Sequence, residues 1–264
     1  MTTTKTIISI LTLFCTLGFI APSLSADDDR WSGLREAYFG DRDIRENADD
    51  LLVLEAPTRA EDAAIVPITI RSLQPQTPDK YIKNLHLIID KNPMPYSANF
   101  HLSPQLGKVD LATRVRVDQY TNMRAIAEMN DGSLHMVTHF IKASGGCSAP
   151  AGKDMEAALA RLGKMQIRMR EATIGEPTQA QIIISHPNNS GLQFDQKTRG
   201  YIPPHFVKEI TIDYAGETLI KVESGISISE DPSVRFDFTP QQHGVLTAVV
   251  HDSKDMTYTA EKEI

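Results

Sequence analysis

The chain is parted by Lys142-Ala143-Ser144-Gly145-Gly146-Cys147-Ser148-Ala149-Pro150-Ala151-Gly152, a stretch that holds one cysteine and no large apolar side chain. Alanine, serine and glycine give a hydrophobic core little to bury. Gly145 and Gly146, lacking a Cβ, let the backbone enter regions closed to other residues and approach another surface closely. The stretch reads as an exposed, mobile arm with the two glycines as its hinge, able when extended to carry the thiol roughly 20 Å from the last anchored strand. A plain interdomain linker with an incidental cysteine has the same composition.

Both sides of the arm read as β structure. Upstream, Asp27 to Arg45 carries Trp31, Leu34 and Tyr38 at helical spacing with Gly40 as a stop. Strand patterns follow at Leu51 to Leu54, Ala64 to Ile70, Leu85 to Asp90 and Ala98 to Leu102. Pro67 cannot donate to a ladder and marks its run as an edge strand or a bulge. Leu111, Thr113, Val115 and Val117 alternate with Ala112, Arg114, Arg116 and Asp118, the period of a half-buried strand. Asn130-Asp131-Gly132 between Met123–Met129 and Leu134–Ile141 is a hairpin signal, because these residues tolerate positive φ.

Downstream, Met155, Leu159 and Leu162 predict about three turns of helix between Ala151 and Gly163. Alternation resumes at Met165 to Met169, Phe206 to Tyr214, Thr218 to Val222, Val234 to Phe238, Val245 to His251 and Met256 to Ala260, with Ile182 to Ile184 before the loop that begins at His186. The expected fold is all-β: two immunoglobulin-like β-sandwiches, residues 27–142 and 164–264, two rigid bodies joined by the cysteine arm and a short helix at 143–163.

Residues 1–26 are a different material. Lys5 precedes an apolar run from Ile7 to Ile20, and small residues end at Ala26 before Asp27-Asp28-Asp29, the pattern of a secretory signal peptide. The run is too short and too interrupted for a comfortable membrane span. Of the two cysteines, Cys15 lies in this segment, so the exported protein would hold Cys147 alone. A lone thiol in an exported protein is reactive, paired between chains, or buried and inert. The chain carries a formal charge of −7, and loss of Lys5 takes it to −8. Such a surface seeks neither nucleic acid nor anionic lipid.

Particular motifs carry a family resemblance. His186-Pro187 with Ser190-Gly191-Leu192, then Ile202-Pro203-Pro204-His205-Phe206-Val207-Lys208-Glu209-Ile210, and Ser229 to Phe238 resemble the SoxZ family. Leu54-Glu55-Ala56-Pro57-Thr58-Arg59-Ala60-Glu61-Asp62-Ala63-Ala64-Ile65-Val66-Pro67 and the Gly-Gly-Cys arm resemble SoxY. The order, SoxY-like then SoxZ-like in one polypeptide, is similar to the SoxYZ-like carriers associated with quinoprotein dehydrogenases. The resemblance implies a periplasmic carrier and not a catalyst, without cofactor. Cys147 would be the covalent attachment site for an oxidised-sulfur intermediate, and sulfur-oxidation enzymes or a quinoprotein dehydrogenase system its partners. A disulfide dimer through Cys147 is also open. Ser148-Ala149-Pro150 stands where the family arm has two glycines, and the chain continues into a second domain; both reduce the swing.

Other chemistries find less support. His135 and His139 share a strand face about 13 Å apart, too far for one ion. His186 and His205 lie on loops where they could converge with another ligand, although loop histidines beside proline are commonly structural, and the site is read as metal-free. No local signature places a histidine beside Cys147, as a hydrolase would need. The rival reading is a non-catalytic β-sandwich binding or accessory module for a periplasmic dehydrogenase, with Cys147 dispensable.

Overall fold

The structure is a computed structural model that describes residues 26–149 and 155–264. Residues 1–25 of the expected signal segment, Pro150 and residues 151–154 of the expected linker helix lie outside the described residues.

The first half opens with helix α1 (Ala26–Phe39) and continues through β1 (Ile44–Arg45), β2 (Leu52–Glu55), β3 (Val66–Ser72), β4 (Ile82–Ile89), β5 (Tyr96–Leu102), β6 (Asp110–Val115), β7 (Thr121–Met129) and β8 (Leu134–Ile141). A short helix α2 (Met155–Leu159) precedes β9 (Met165–Met169), β10 (Thr178–Ile184), β11 (Phe194–Asp195), β12 (Gly200–Tyr201), β13 (Val207–Tyr214), β14 (Glu217–Ser224), β15 (Ser233–Phe238), β16 (Val245–Asp252) and β17 (Thr257–Glu263). The glycine stop of α1 is in place, with Gly40 at φ 63°. The hairpin turns use Gly132 (φ 87°) and the pair Ala215 and Gly216 (φ 50° and 88°), the left-handed geometry that matches strand twist.

Two sheets face each other, and each runs through both halves of the chain. The larger has the order β1-β8-β7-β4-β5-β14-β13-β16-β17, the smaller β2-β3-β6-β15-β10-β9. The seam is antiparallel in both: Leu102 to Ala98 pair with Ile220 to Ser224, and Leu111 and Ala112 pair with Phe236 and Arg235. The expectation of two rigid bodies on a tether is therefore corrected. Each half is a sandwich, but Phe100 and Leu111 of the first and Val222 and Phe236 of the second belong to one buried cluster. Edge strands of one sandwich satisfy their backbone groups on the edges of the other, β5 on β14 and β6 on β15, which removes four exposed edges.

Burial follows the period of two. In β16, Leu246, Ala248, Val250 and Asp252 point inward while Thr247, Val249 and His251 face out. β4 and β7 depart from it because α1 covers their outer face, where Trp31 and Phe39 pack on Ile88, Ile126, Leu134 and Met136. Under Trp31, the buried Arg124 and Asp90 pair at 2.9 Å. Pro67 lies on β3 between two neighbours, so the strand is not an edge; β2 ends its pairing at Glu55 and Thr69, leaving no ladder on that side of Pro67.

Candidate functional site

The site is built where the seam between the halves meets the segment after β8. Beyond Val115 the β6 strand ends, and residues 116–118 turn from ladder to slot. Arg116 N donates to Ser227 O and Val117 N to Ala63 O, at 2.7 and 2.9 Å. Buried Asn92 locks this run: Asp118 N donates to its Oδ1, and its Nδ2 donates to Arg116 O at 2.8 Å.

The cysteine segment lies in that slot. Gly145 N donates to Asp118 O and Gly146 N to Val117 O, at 2.8 and 2.9 Å. Ser148 N then reaches back to Gly145 O at 3.3 Å, closing a turn with Cys147 inside it. Gly145 takes φ 78°, and a Cβ on Gly146 would stand 2.0 Å from Ala63 O and 2.6 Å from Val117 O. Both glycines are needed for the docked geometry, Gly145 for its left-handed φ and Gly146 for the close approach of two backbones.

The expectation of an exposed arm is corrected likewise. Cys147 is 0% exposed. Its thiol is pushed up to about 12 by burial, with Asp118 adding to the shift and Arg116 opposing it. Docked, the sulfur is a neutral thiol and a poor nucleophile. Ser144 and Ser148 are exposed on either side of the buried sulfur, and hydrogen bonds to residues 117, 118 and 190 hold the turn in place.

The second half supplies the other wall. Ser190 Oγ donates to Cys147 O at 2.5 Å. Arg116, 2% exposed, spans the seam: Nη1 donates to Gly146 O and Nη2 to Asn188 O, each at 3.3 Å. Asn188 is held at φ 45°, with its N–H on His186 Nδ1 and its side chain bonded to Ile228 O and Val207 N.

Behind this loop, His186 and His205 converge on Asp252, a residue whose role the spacing did not announce. His205 Nε2 lies 2.7 Å and His186 Nε2 3.5 Å from Asp252 Oδ2, which also accepts from Tyr258 at 3.1 Å. The three are buried and their ligand atoms lie within 4.8 Å of one another. Their hydrogen bonding suits a carboxylate held by donors. His186 Nδ1 accepts the Asn188 N–H, so its proton sits on Nε2, facing Asp252; coordination through that nitrogen would require the proton elsewhere. Burial and His205 lower the His186 pKa to about 4, which keeps the ring neutral, whereas the His205 and backbone N–H bonds hold Asp252 down at about 2 against the cost of burial.

Sequence reasoning found Cys147, Gly145, Gly146, His186 and His205 but missed Arg116 and Asp252. Arg116 falls on the outward phase of the alternation through Val117; it turns inward because the ladder stops at Val115.

Residues 35–147 match the sulfur oxidation protein SoxY family and residues 167–263 the sulphur oxidation protein SoxZ family. The chain is a SoxY domain and a SoxZ domain in one polypeptide. The SoxY match ends on Cys147 itself. The slot for Cys147 is thus closed by SoxY residues 116–118 on one side and by SoxZ residues 188–190 on the other. Among solved structures, the sulfur carrier protein SoxY from Chlorobium limicola f thiosulfatophilum is 23% identical, covering 44% of this chain and 94% of its own, with a TM-score of 0.35. A superoxide reductase (neelaredoxin) from Ignicoccus hospitalis is 14% identical over 38% of this chain and 93% of its own, with a TM-score of 0.32. No curated protein matches the chain significantly.

Proposed function

We propose that this SoxY–SoxZ fusion is a periplasmic covalent carrier, with Cys147 as the attachment point for a sulfur-compound intermediate. The observation that carries the reading is the position of Cys147, the last residue of the SoxY match, docked against the SoxZ half in a turn whose backbone is hydrogen-bonded to both halves. In the docked state the thiol is sealed and neutral. Release of residues 145–148 returns it to water, where its pKa falls toward the ordinary value near ~8.5 and the thiolate becomes available. Joining that thiol to a reduced sulfur oxyanion through a new S–S bond releases two electrons and the thiol proton, so the loading partner is an oxidoreductase that accepts them. Breaking that S–S bond takes up two electrons and a proton, so the unloading partner is a reductant that releases the sulfur oxyanion or a thiolate that attacks the outer sulfur and leaves with it, and either restores the Cys147 thiol. The protein supplies no catalytic group of its own in this scheme; it supplies a protected nucleophile and a surface for docking.

The N-terminal pattern of residues 1–26 supports export, and the SoxY-then-SoxZ order supports association with a quinoprotein dehydrogenase system. A disulfide dimer through Cys147 would need the released arm in both copies.

One observation favours a second reading. A thiol at 0% exposure is also what an inert core cysteine looks like, in which case the molecule is a binding or accessory module. Replacing Cys147 with serine separates the two. A carrier loses sulfur-dependent turnover while still binding its partner enzymes; an accessory module retains both, and that result would discard the carrier reading.

A further inference from the structure

Arg116 is a buried cation that makes no close ion pair among the described residues; Glu230 and Asp62 support its charge only from longer range. Arg116 is 2% exposed, and among the described residues no carboxylate lies within ion-pair distance of it. Two of its donors are spent on backbone carbonyls, and Nε has no acceptor at all. A buried charge left this way is strongly destabilising unless something pairs with it. One of its carbonyl partners, Gly146 O, is adjacent to the thiol-bearing residue. The loop that bonds Cys147 O through Ser190 adds one further buried donor without an acceptor, Gln193 Nε2, and one buried acceptor without a donor, Asn189 Oδ1. Arg116 Nε and Gln193 Nε2 are thus buried donors that the bare arm leaves unsatisfied, and a thiol contributes no charge to them.

We propose that Arg116 is the counter-ion for the group carried on Cys147, so that the SoxY–SoxZ slot selects an anionic, oxygen-rich adduct over a neutral one. This rests on the carrier reading and names the chemistry of the cargo that the docked arm receives. An oxidised-sulfur group bears its charge on oxygens beyond Sγ, each an acceptor that the thiol lacks. Because the bare sulfur is sealed, a loaded arm docks with its tip shifted within the turn 145–148, keeping the Arg116 contact. Asp118 faces the same sulfur and would repel an anion, which makes the sign of the effect diagnostic of which charge governs.

The test compares adducts on the full chain. Tetrathionate loads the thiolate by attack on an inner sulfur, forming a Cys–S–S–sulfonate and releasing thiosulfate. Methyl methanethiosulfonate gives the neutral Cys–S–S–methyl adduct and releases methanesulfinate. Loading is done natively or, where the sealed thiol does not react, in urea followed by refolding, and intact mass verifies each adduct. Amide hydrogen exchange at residues 144–148 is then read. Charge-assisted hydrogen bonds are worth about 1.5–3 kcal/mol, so the anionic adduct should exchange at least about tenfold more slowly than the neutral one. In Arg116→Gln the difference should vanish or reverse in sign under Asp118. Equal exchange of the two adducts in the wild-type chain, or a difference that survives Arg116→Gln, overturns the assignment; if that variant does not fold, the wild-type comparison decides alone. Because loading here is chemical, the outcome does not depend on whether cells use Cys147 as a carrier, which the Cys147→Ser variant tests.

Discussion

Gly146→Ala is the perturbation whose consequence the structure fixes most tightly. The added methyl would lie 2.0 Å from Ala63 O, 2.5 Å from Ala63 C and 2.6 Å from Val117 O, all backbone atoms that cannot swing away. Ala63 O is held by Val117 N, so the slot cannot widen without breaking that bond also. The turn must lift instead. Its departure removes the bonds from Gly145 N, Gly146 N, Arg116 and Ser190. At about 1 kcal/mol net for each, roughly 4 kcal/mol of docking energy is lost, a factor of about 10³ in the closed-to-open ratio. The thiol pKa, about 12 when docked, returns toward the ordinary range on release. The assay is the rate of Cys147 labelling by an aromatic disulfide at pH 8, with circular dichroism to verify that both sheets remain. Labelling should accelerate by about 10²–10³ over wild type. Gly145→Ala has open space around its Cβ and is strained only by its φ of 78°, so roughly 1–2 kcal/mol and about tenfold faster labelling are expected there. Wild-type labelling in a folded Gly146→Ala protein would refute the docked geometry.

Three further outcomes follow from the same contacts. The Cys147 pKa is raised in the docked state, so the released arm loses its proton first as pH rises; docking is intact below about pH 8.5 and weakens about tenfold per unit above it, until the docked thiol itself ionises near 12, which the pH dependence of labelling measures. His186 is depressed to about 4, so the unfolded chain takes up the proton first on acidification; stability should fall between about pH 6.5 and 4, and His186→Asn, which keeps an acceptor for the Asn188 N–H without titrating, should flatten that part of the melting-temperature profile. Phe236→Ala, at 0% exposure on the seam, should cost about 3–5 kcal/mol and lower the melting temperature of both halves together, since they share sheets; two separate calorimetric transitions in the wild-type chain would contradict the common core.

Most strands were legible because their alternation is local: β6, β8 and β16 could be read from residues two apart. The seam was not, because the pairing of Leu102 with Ile220 joins positions far apart in sequence, and nothing in either strand says whether its free edge meets water or another edge. The glycine arm was misread for a related reason. Glycine permits mobility and close packing equally, and only the position of Ala63 O decides between them. The site was half visible: the thiol and the two histidines stand out by residue type, whereas Arg116 and Asp252 acquire their roles from a strand ending at Val115 and from a loop that brings His205 back to the end of β16.

The most direct measurement is the intact mass of the protein isolated, without reductant, from cells oxidising reduced sulfur compounds. A carrier should show a population heavier by a sulfur-containing group, located on the Cys147 peptide and removed by dithiothreitol. Protein that carries only a free thiol at Cys147 throughout active sulfur oxidation would contradict the carrier reading.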